Sequence, residues 1–151
     1  MIMKKSDHFE ALIRLFKAAP INQKIYLSSK LEIADGECTY KLIISSEYFH
    51  GAEALHGSVY FKMLDDAAYF AAASQELDHF LVTKSYTIEF IRPVKAETLI
   101  ARGRVMEKSA SGFIVESQLL NENEKVVGRG KGEFVRSKLR LDSIEDYSIR
   151  R

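Results

Sequence analysis

The chain has a single cysteine, Cys38, which excludes an internal disulfide and any zinc site built from several cysteines. It has almost no net charge: 22 basic against 21 acidic residues leave +1, so no global field draws it to nucleic acid or to an anionic membrane. Long apolar runs are missing too. Near the N-terminus Asp7, Glu10, Arg14 and Lys17 interrupt the run that a signal peptide needs, and nothing approaches membrane-spanning length. Tandem repeats and low-complexity linkers are also absent. These absences point to a cytoplasmic protein with neither nucleic-acid nor membrane partners. A length of 151 residues, 46% hydrophobic and 28% charged, suits one domain with an ample core.

What is present centres on His56 to Ser74. Ser58 is placed as an N-cap, and the run behind it reads as one helix of four to five turns. Val59, Met63, Leu64, Ala67, Ala68, Phe70, Ala71 and Ala72 leave it no broad polar face, so it is expected to be buried. Asp65 and Asp66 sit in its middle, where unpaired carboxylates are rare. Adjacent helical residues point about 100° apart. One aspartate can therefore face a cavity while the other meets solvent or a basic neighbour; the alternative is that both ride an exposed edge.

Before this helix, Phe9, Leu12, Ile13 and Phe16 mark a short one-faced helix, capped by Ser6 and ending before Pro20, with His8 on its surface. Leu31 to Ala34, a turn at Asp35-Gly36, and the alternation of Cys38, Tyr40, Leu42 and Ile44 read as a hairpin. Residues 45–55 read as a loop. After the central helix, with His79 on a loop surface, four strands follow: Leu81 to Ile91, Thr98 to Met106, Phe113 to Leu120 and Val126 to Val135. Their short turns predict an antiparallel meander. From Arg136 the tail reads as a loose helix or as disordered.

Gly128, Gly130 and Gly132 share one face of the last strand, and close approach of the buried helix is the expected reason. A phosphate loop is excluded there, because no helix starts after the run. The fold class is therefore α+β. A curled antiparallel sheet of five or six strands wraps one long buried helix, with a core over about residues 31–136, an N-terminal helix within 1–20 and a tail over 137–151. The sheet's open edges and second face predict dimerisation.

His56-Gly57-Ser58, Asp65 nine positions after the histidine, the strand running into Phe90-Ile91-Arg92-Pro93 and the closing strand Gly128 to Phe134 together resemble hotdog-fold thioesterases of the phenylacetic-acid-pathway type. The resemblance covers roughly residues 38–136. It implies that Gly57 supplies the oxyanion-hole amide, that Asp65 is the catalytic base or nucleophile, and that Thr83 places the attacking water. The family's usual second glycine is Ser58 here, and an amide side chain common in relatives is replaced by His50. The substrate it implies is an acyl-CoA ester, so coenzyme A belongs to the substrate and no separate cofactor is expected. Lys84, Arg92, Arg129 and Lys131 are candidates for its phosphates, each with an alternative as an ordinary solvated strand residue. Tyr60, Phe61 and Tyr69 either line an acyl pocket or pack the core.

Such chemistry needs a donor for the developing oxyanion and a base or nucleophile for the carbonyl carbon. A helix N-terminus supplies the first, a poorly solvated carboxylate the second. Eight helical residues, about 12 Å of rise, separate Gly57 from Asp65, too far to serve one carbonyl. The site is therefore expected to be shared between two antiparallel copies of the helix in a homodimer, which a dimer of dimers could repeat. His50 and His56 match no zinc spacing, and no metal is expected. For His56 two roles stand, a ring bonding the backbone before the helix and proton transfer; His50 is either a surface residue or a donor to the departing thiolate. Two other functions remain in view. One is a hotdog hydratase or dehydratase, although the His-Phe-Pro pattern of the dehydratases is missing; the other is a non-catalytic acyl-CoA binder or sensor.

Overall fold

The computed structural model describes residues 3–148. Helix α1 (Lys5–Ala18) and the short α2 (Pro20–Lys24) meet at an elbow. Strands β1 (Lys30–Ala34) and β2 (Glu37–Ile43) form the expected hairpin, with Gly36 at φ +75° in the turn. Then come α3 (Gly57–Ala73), β3 (His79–Phe90), β4 (Thr98–Lys108), β5 (Gly112–Leu120) and β6 (Val126–Arg140). Within residues 45–55, Ser46–Tyr48 forms a single 3-10 turn, and Phe49 bridges to Leu55.

All strand pairings in the six-stranded sheet are antiparallel, in the order β1-β2-β4-β5-β6-β3. The expected four-strand meander is corrected here. Only β4, β5 and β6 run as a meander, whereas β3 crosses to the far side and pairs with β6. Local turn signals report where strands end, not which long-range partner they take. The crossing leaves β3 as an outer strand.

The sheet curls around α3. The two backbones come close at Gly103, in the middle of β4: a Cβ built there would lie 2.2 Å from the carbonyl oxygen of Ala67. Alanines 67, 68, 71, 72 and 73 keep the second half of the helix narrow and are all buried. The glycine strip on β6 is only partly what was expected. The helix meets Gly128, through Tyr60 and Leu64, but Gly130 and Gly132 are covered by the ring of Tyr86 from β3. Tyr86 is hydrogen-bonded to Ser117, whose hydroxyl donates to the Leu64 carbonyl at 2.9 Å.

Several local expectations also change. The N-cap of α3 is His56, whose Nδ1 accepts the Ser58 N–H at 3.0 Å, so Ser58 lies inside the first turn. Ser6 likewise lies inside α1 and caps nothing, since Lys4 holds that position without a side-chain bond. Nor is α3 buried all round: Ser58, Phe61, Lys62, Asp65, Asp66 and Tyr69 form one stripe that is exposed or half-buried. His8 is fully buried rather than on the surface. Its Nδ1 contacts the Tyr147 hydroxyl and its Nε2 the Ala73 carbonyl, both at 2.7 Å. His79 starts β3 rather than sitting on a loop. The described part of the tail is ordered: β6 runs on to Arg140, a 3-10 turn spans Leu141–Ser143, and Leu141 and Tyr147 are buried. The remaining tail residues, 149–151, lie outside the described residues.

Candidate active site

The open stripe of α3 decides where the two aspartates go. Asp66 turns to Lys62, four residues earlier on the same face, and the two are ion-paired. The Lys62 ammonium also donates to Asn22 Oδ1 at 2.9 Å, and it lies 5.0 Å from the ring centres of Tyr26 and Tyr40 and 5.4 Å from that of Phe16. Burial pushes the Asp66 carboxyl above its ordinary range, and the ammonium against it pulls the other way.

Asp65, one residue earlier, points along β3 instead. Its Oδ1 accepts from Thr83 Oγ1 at 2.9 Å. Burial raises its pKa from 3.8 to about 6; the Thr83 bond opposes this, Asp66 adds to it and Lys62 subtracts from it. It is thus half-shielded, and among the described residues no cation pairs with it. Of the two sequence readings the first is the nearer: Asp66 meets a basic neighbour while Asp65 is held by a hydroxyl, although both carboxylates border the same cavity.

The position of Thr83 depends on a bulge. The β3–β6 register shifts between Thr83 and Ser85. Before the shift Leu81 and Thr83 face α3; after it Tyr86 and Phe90 do, with Phe90 against Gly57. A strict period of two would turn one of these sets outward.

At the other end of the open stripe, Gly57 occupies the first helical position, whose N–H has no partner within the helix. It lines a cavity of about 310 Å³ with His50, Tyr60, Phe90, Arg92 and Pro93. Asp65 and Thr83 instead line a cavity of about 650 Å³ between α3, β3 and the α1–α2 elbow. Within one chain the amide and the acid therefore open onto different cavities.

The other sequence-predicted residues divide accordingly. His50 is exposed, and its Nδ1 accepts the Ala52 N–H at 3.0 Å. His56 Nδ1 is also 2.8 Å from Ser58 Oγ. Arg92 is exposed, and its carbonyl accepts from Tyr60 at 2.6 Å. Lys84 pairs with Glu133 at 3.6 Å and Arg129 with Glu89 at 3.3 Å, while Lys131 is exposed on the same strand as Arg129. These three are not brought together with Asp65. Tyr69 borders the larger cavity and donates to the Leu81 carbonyl at 2.7 Å, Tyr60 borders the smaller, and Phe61 lies exposed on the open stripe. Among the described residues no three His, Cys, Asp or Glu side chains converge as a metal cluster, and no helix is long and apolar enough to cross a membrane.

Sequence reasoning missed Lys62 and Asn22. The i, i+4 spacing of Lys62 and Asp66 was a legible signal. Asn22, from an element forty residues away, had none.

A curled antiparallel sheet wrapped on one helix in this way is the hotdog fold. The PaaI protein from the phenylacetic acid degradation operon of E. coli superposes with a TM-score of 0.79, at 19% identity over 90% of this chain and 97% of that one. A conserved protein of Pseudomonas aeruginosa gives 0.74, at 21% identity over 82% and 98%. A Streptococcus mutans protein solved bound to acetyl-CoA gives 0.70, at 15% identity over 78% and 94%. No curated protein matches the sequence. The family model for the thioesterase superfamily matches residues 52–127, which contain Gly57, Asp65 and Thr83. The chain belongs to the thioesterase superfamily.

Proposed function

We propose that this protein is an acyl-CoA thioesterase that works as a homodimer, with Asp65 of one subunit and the Gly57 amide of the other acting on one carbonyl. The observation that carries the proposal is Asp65 itself: a carboxylate shielded enough to titrate near pH 6, steadied by one hydroxyl and opening onto an apolar cavity. Family membership supports thioester hydrolysis, and the acetyl-CoA-bound relative supports a coenzyme A ester.

In this reading Asp65 either takes a proton from a water held by Thr83 or attacks the carbonyl itself. Electrons move to the carbonyl oxygen, which the free N–H at the front of the partner's α3 receives, with the positive end of the helix dipole behind it. Collapse of the tetrahedral species breaks the C–S bond and expels the coenzyme A thiolate, which takes up the proton. After direct attack the aspartyl anhydride left behind is then cleaved by water, which releases the acid and restores Asp65. His50 and Arg92 beside that amide, Lys84 on the outer strand β3, and Arg129 and Lys131 on its neighbour β6, are proposed to meet the leaving group and its phosphates. Two facts support sharing between subunits: about 12 Å of helix separates Gly57 from Asp65, and the two open onto different cavities. The outer strand β3 offers an edge on which two copies can meet.

The test is complementation. Asp65→Asn removes the acid. Gly57→Pro removes the amide hydrogen at a helical position that suits proline, and the preceding His56, at φ −66° and ψ 141°, accepts a proline after it. Gly57→Ala is the steric control, since its Cβ would meet the Phe90 ring at 3.2 Å. Thiol release by each single variant should fall by roughly a hundredfold or more. Mixed after unfolding and refolding, half the dimers are hybrid and each keeps one intact site of two, so activity returns to about one quarter of wild type. No recovery would place both groups in one chain or remove one of them from the reaction. Binding without turnover by the wild type would favour the acyl-CoA sensor.

A further inference from the structure

The cavity beside Asp65 is larger than the chemistry needs. At about 650 Å³ it lies in the range that accepts a drug-sized ligand, whereas an acetyl group has only two carbons. The α1–α2 elbow walls it through Leu15, Ala18, Ala19 and Ile21, with Phe70 and Phe80 from α3 and β3, and the polar side chains of Lys62, Asp66 and Asp146 also border it. The elbow is held in place. Asn22 Nδ2 donates to the Phe16 carbonyl at 2.8 Å, closing the end of α1, and Asn22 Oδ1 accepts from Lys62 of α3 at 2.9 Å. Pro20 at the start of α2 limits the backbone at the bend.

We infer that this elbow is the acyl-specificity wall of the site and that the group it receives is a medium-to-long apolar acyl chain. The inference rests on the thioesterase reading and adds its substrate class. The other part of such a substrate, the pantetheine arm, carries two amides, and burying an unpaired amide against Leu15, Phe70 and Phe80 is unfavourable. An alkyl chain has no such penalty and gains with each methylene it buries. The apolar end of the ester therefore enters the cleft, and the pantetheine leaves by the mouth. The small side chains of Ala18 and Ala19 give the cleft its depth, and a larger residue at either position shortens it.

The experiment compares wild type with Ala18→Leu and Ala19→Phe on acetyl-, butyryl-, octanoyl- and dodecanoyl-CoA, with melting temperature as the folding check. For wild type, kcat/KM should rise at least tenfold from acetyl to octanoyl. In at least one folded variant the dodecanoyl-to-butyryl ratio should fall tenfold or more. Equilibrium binding of dodecanoate, the hydrolysis product, reads the cleft without turnover and should weaken at least tenfold in the same variant. A flat chain-length profile in wild type, or folded variants with an unaltered ratio and unaltered dodecanoate binding, overturns the inference. If no ester is hydrolysed but dodecanoate binds wild type and not the variant, the wall assignment stands and the hydrolase reading falls.

Discussion

Thr83 Oγ1 donates a 2.9 Å hydrogen bond to Asp65 Oδ1 from β3, an edge strand of the sheet. That bond favours the charged carboxylate and opposes the burial that raises its pKa to about 6. Thr83→Val should move the acid limb of the kcat/KM profile upward by about one pH unit, whereas Thr83→Ser should leave it near its original place. On the proposed mechanism activity requires the carboxylate, so in wild type it should fall about tenfold per unit below pH 6. A limb that does not respond to Thr83→Val would separate the two residues.

The same shift has a consequence for stability. A carboxyl whose pKa is raised on folding, from 3.8 to about 6, binds its proton more tightly in the folded state. Its favourable contribution is present below about pH 4 and is lost as pH rises through 6. Asp65→Asn should therefore be more stable than wild type at pH 7, by ~1–2 kcal/mol after discounting for partial exposure and the Thr83 bond, with the gap closing toward pH 4. Urea denaturation at both pH values checks the sign.

Lys62 and Asp66 stand or fall together. Lys62→Met alone leaves the Asp66 carboxylate shielded without its cation and should cost about 3 kcal/mol. The double variant Lys62→Met/Asp66→Leu removes both charges and should recover at least about 1 kcal/mol of that loss. Chemical denaturation of the two variants measures the difference, and a double variant less stable than the single would contradict it.

His8 joins α1, the end of α3 and the C-terminal segment through the Ala73 carbonyl and Tyr147. Burial lowers its pKa below the usual 6.5, although the Ala73 bond and Glu76 pull it upward. The contribution of His8 should hold above pH 6.5 and decline as the pH drops from there toward the folded-state value, opposite in sign to that of Asp65. His8→Ala should cost about 2–4 kcal/mol, through a cavity and two polar groups left unpaired, and should flatten that decline. Thermal unfolding between pH 5 and 8 reads both effects.

Gly103 has no room for a methyl group, because a Cβ there would sit 2.2 Å from the Ala67 carbonyl oxygen in the helix backbone. Gly103→Ala should destabilise by at least about 2 kcal/mol, and Gly51→Ala, where nothing lies within 4 Å, should be near neutral. Melting temperatures of the pair give the comparison.

Much of the fold is legible in residue order. Cys38, Tyr40, Leu42 and Ile44 alternate on paper and are all buried. The apolar run after His56 is a helix at the centre of the sheet, and strand positions agree to within a few residues except at the C-terminal end of β6. His8 was misread because its partners come from Ala73 and Tyr147, far along the chain. The end of β6 was misread because the register with β3, not local composition, carries the strand past Val135.

The candidate site divides in the same way. Gly57 at the front of the helix and Asp65 two turns on are a matter of residue order, because a helix of known rise fixes their separation. Which aspartate is free was decided by tertiary structure: Lys62 takes Asp66 and the bulge before Ser85 aims Thr83 at Asp65. Periodicity sets the face a residue occupies, a property of the local backbone. The partner waiting on that face arrives from distant strands and helices, whose placement follows from burying the whole core at once.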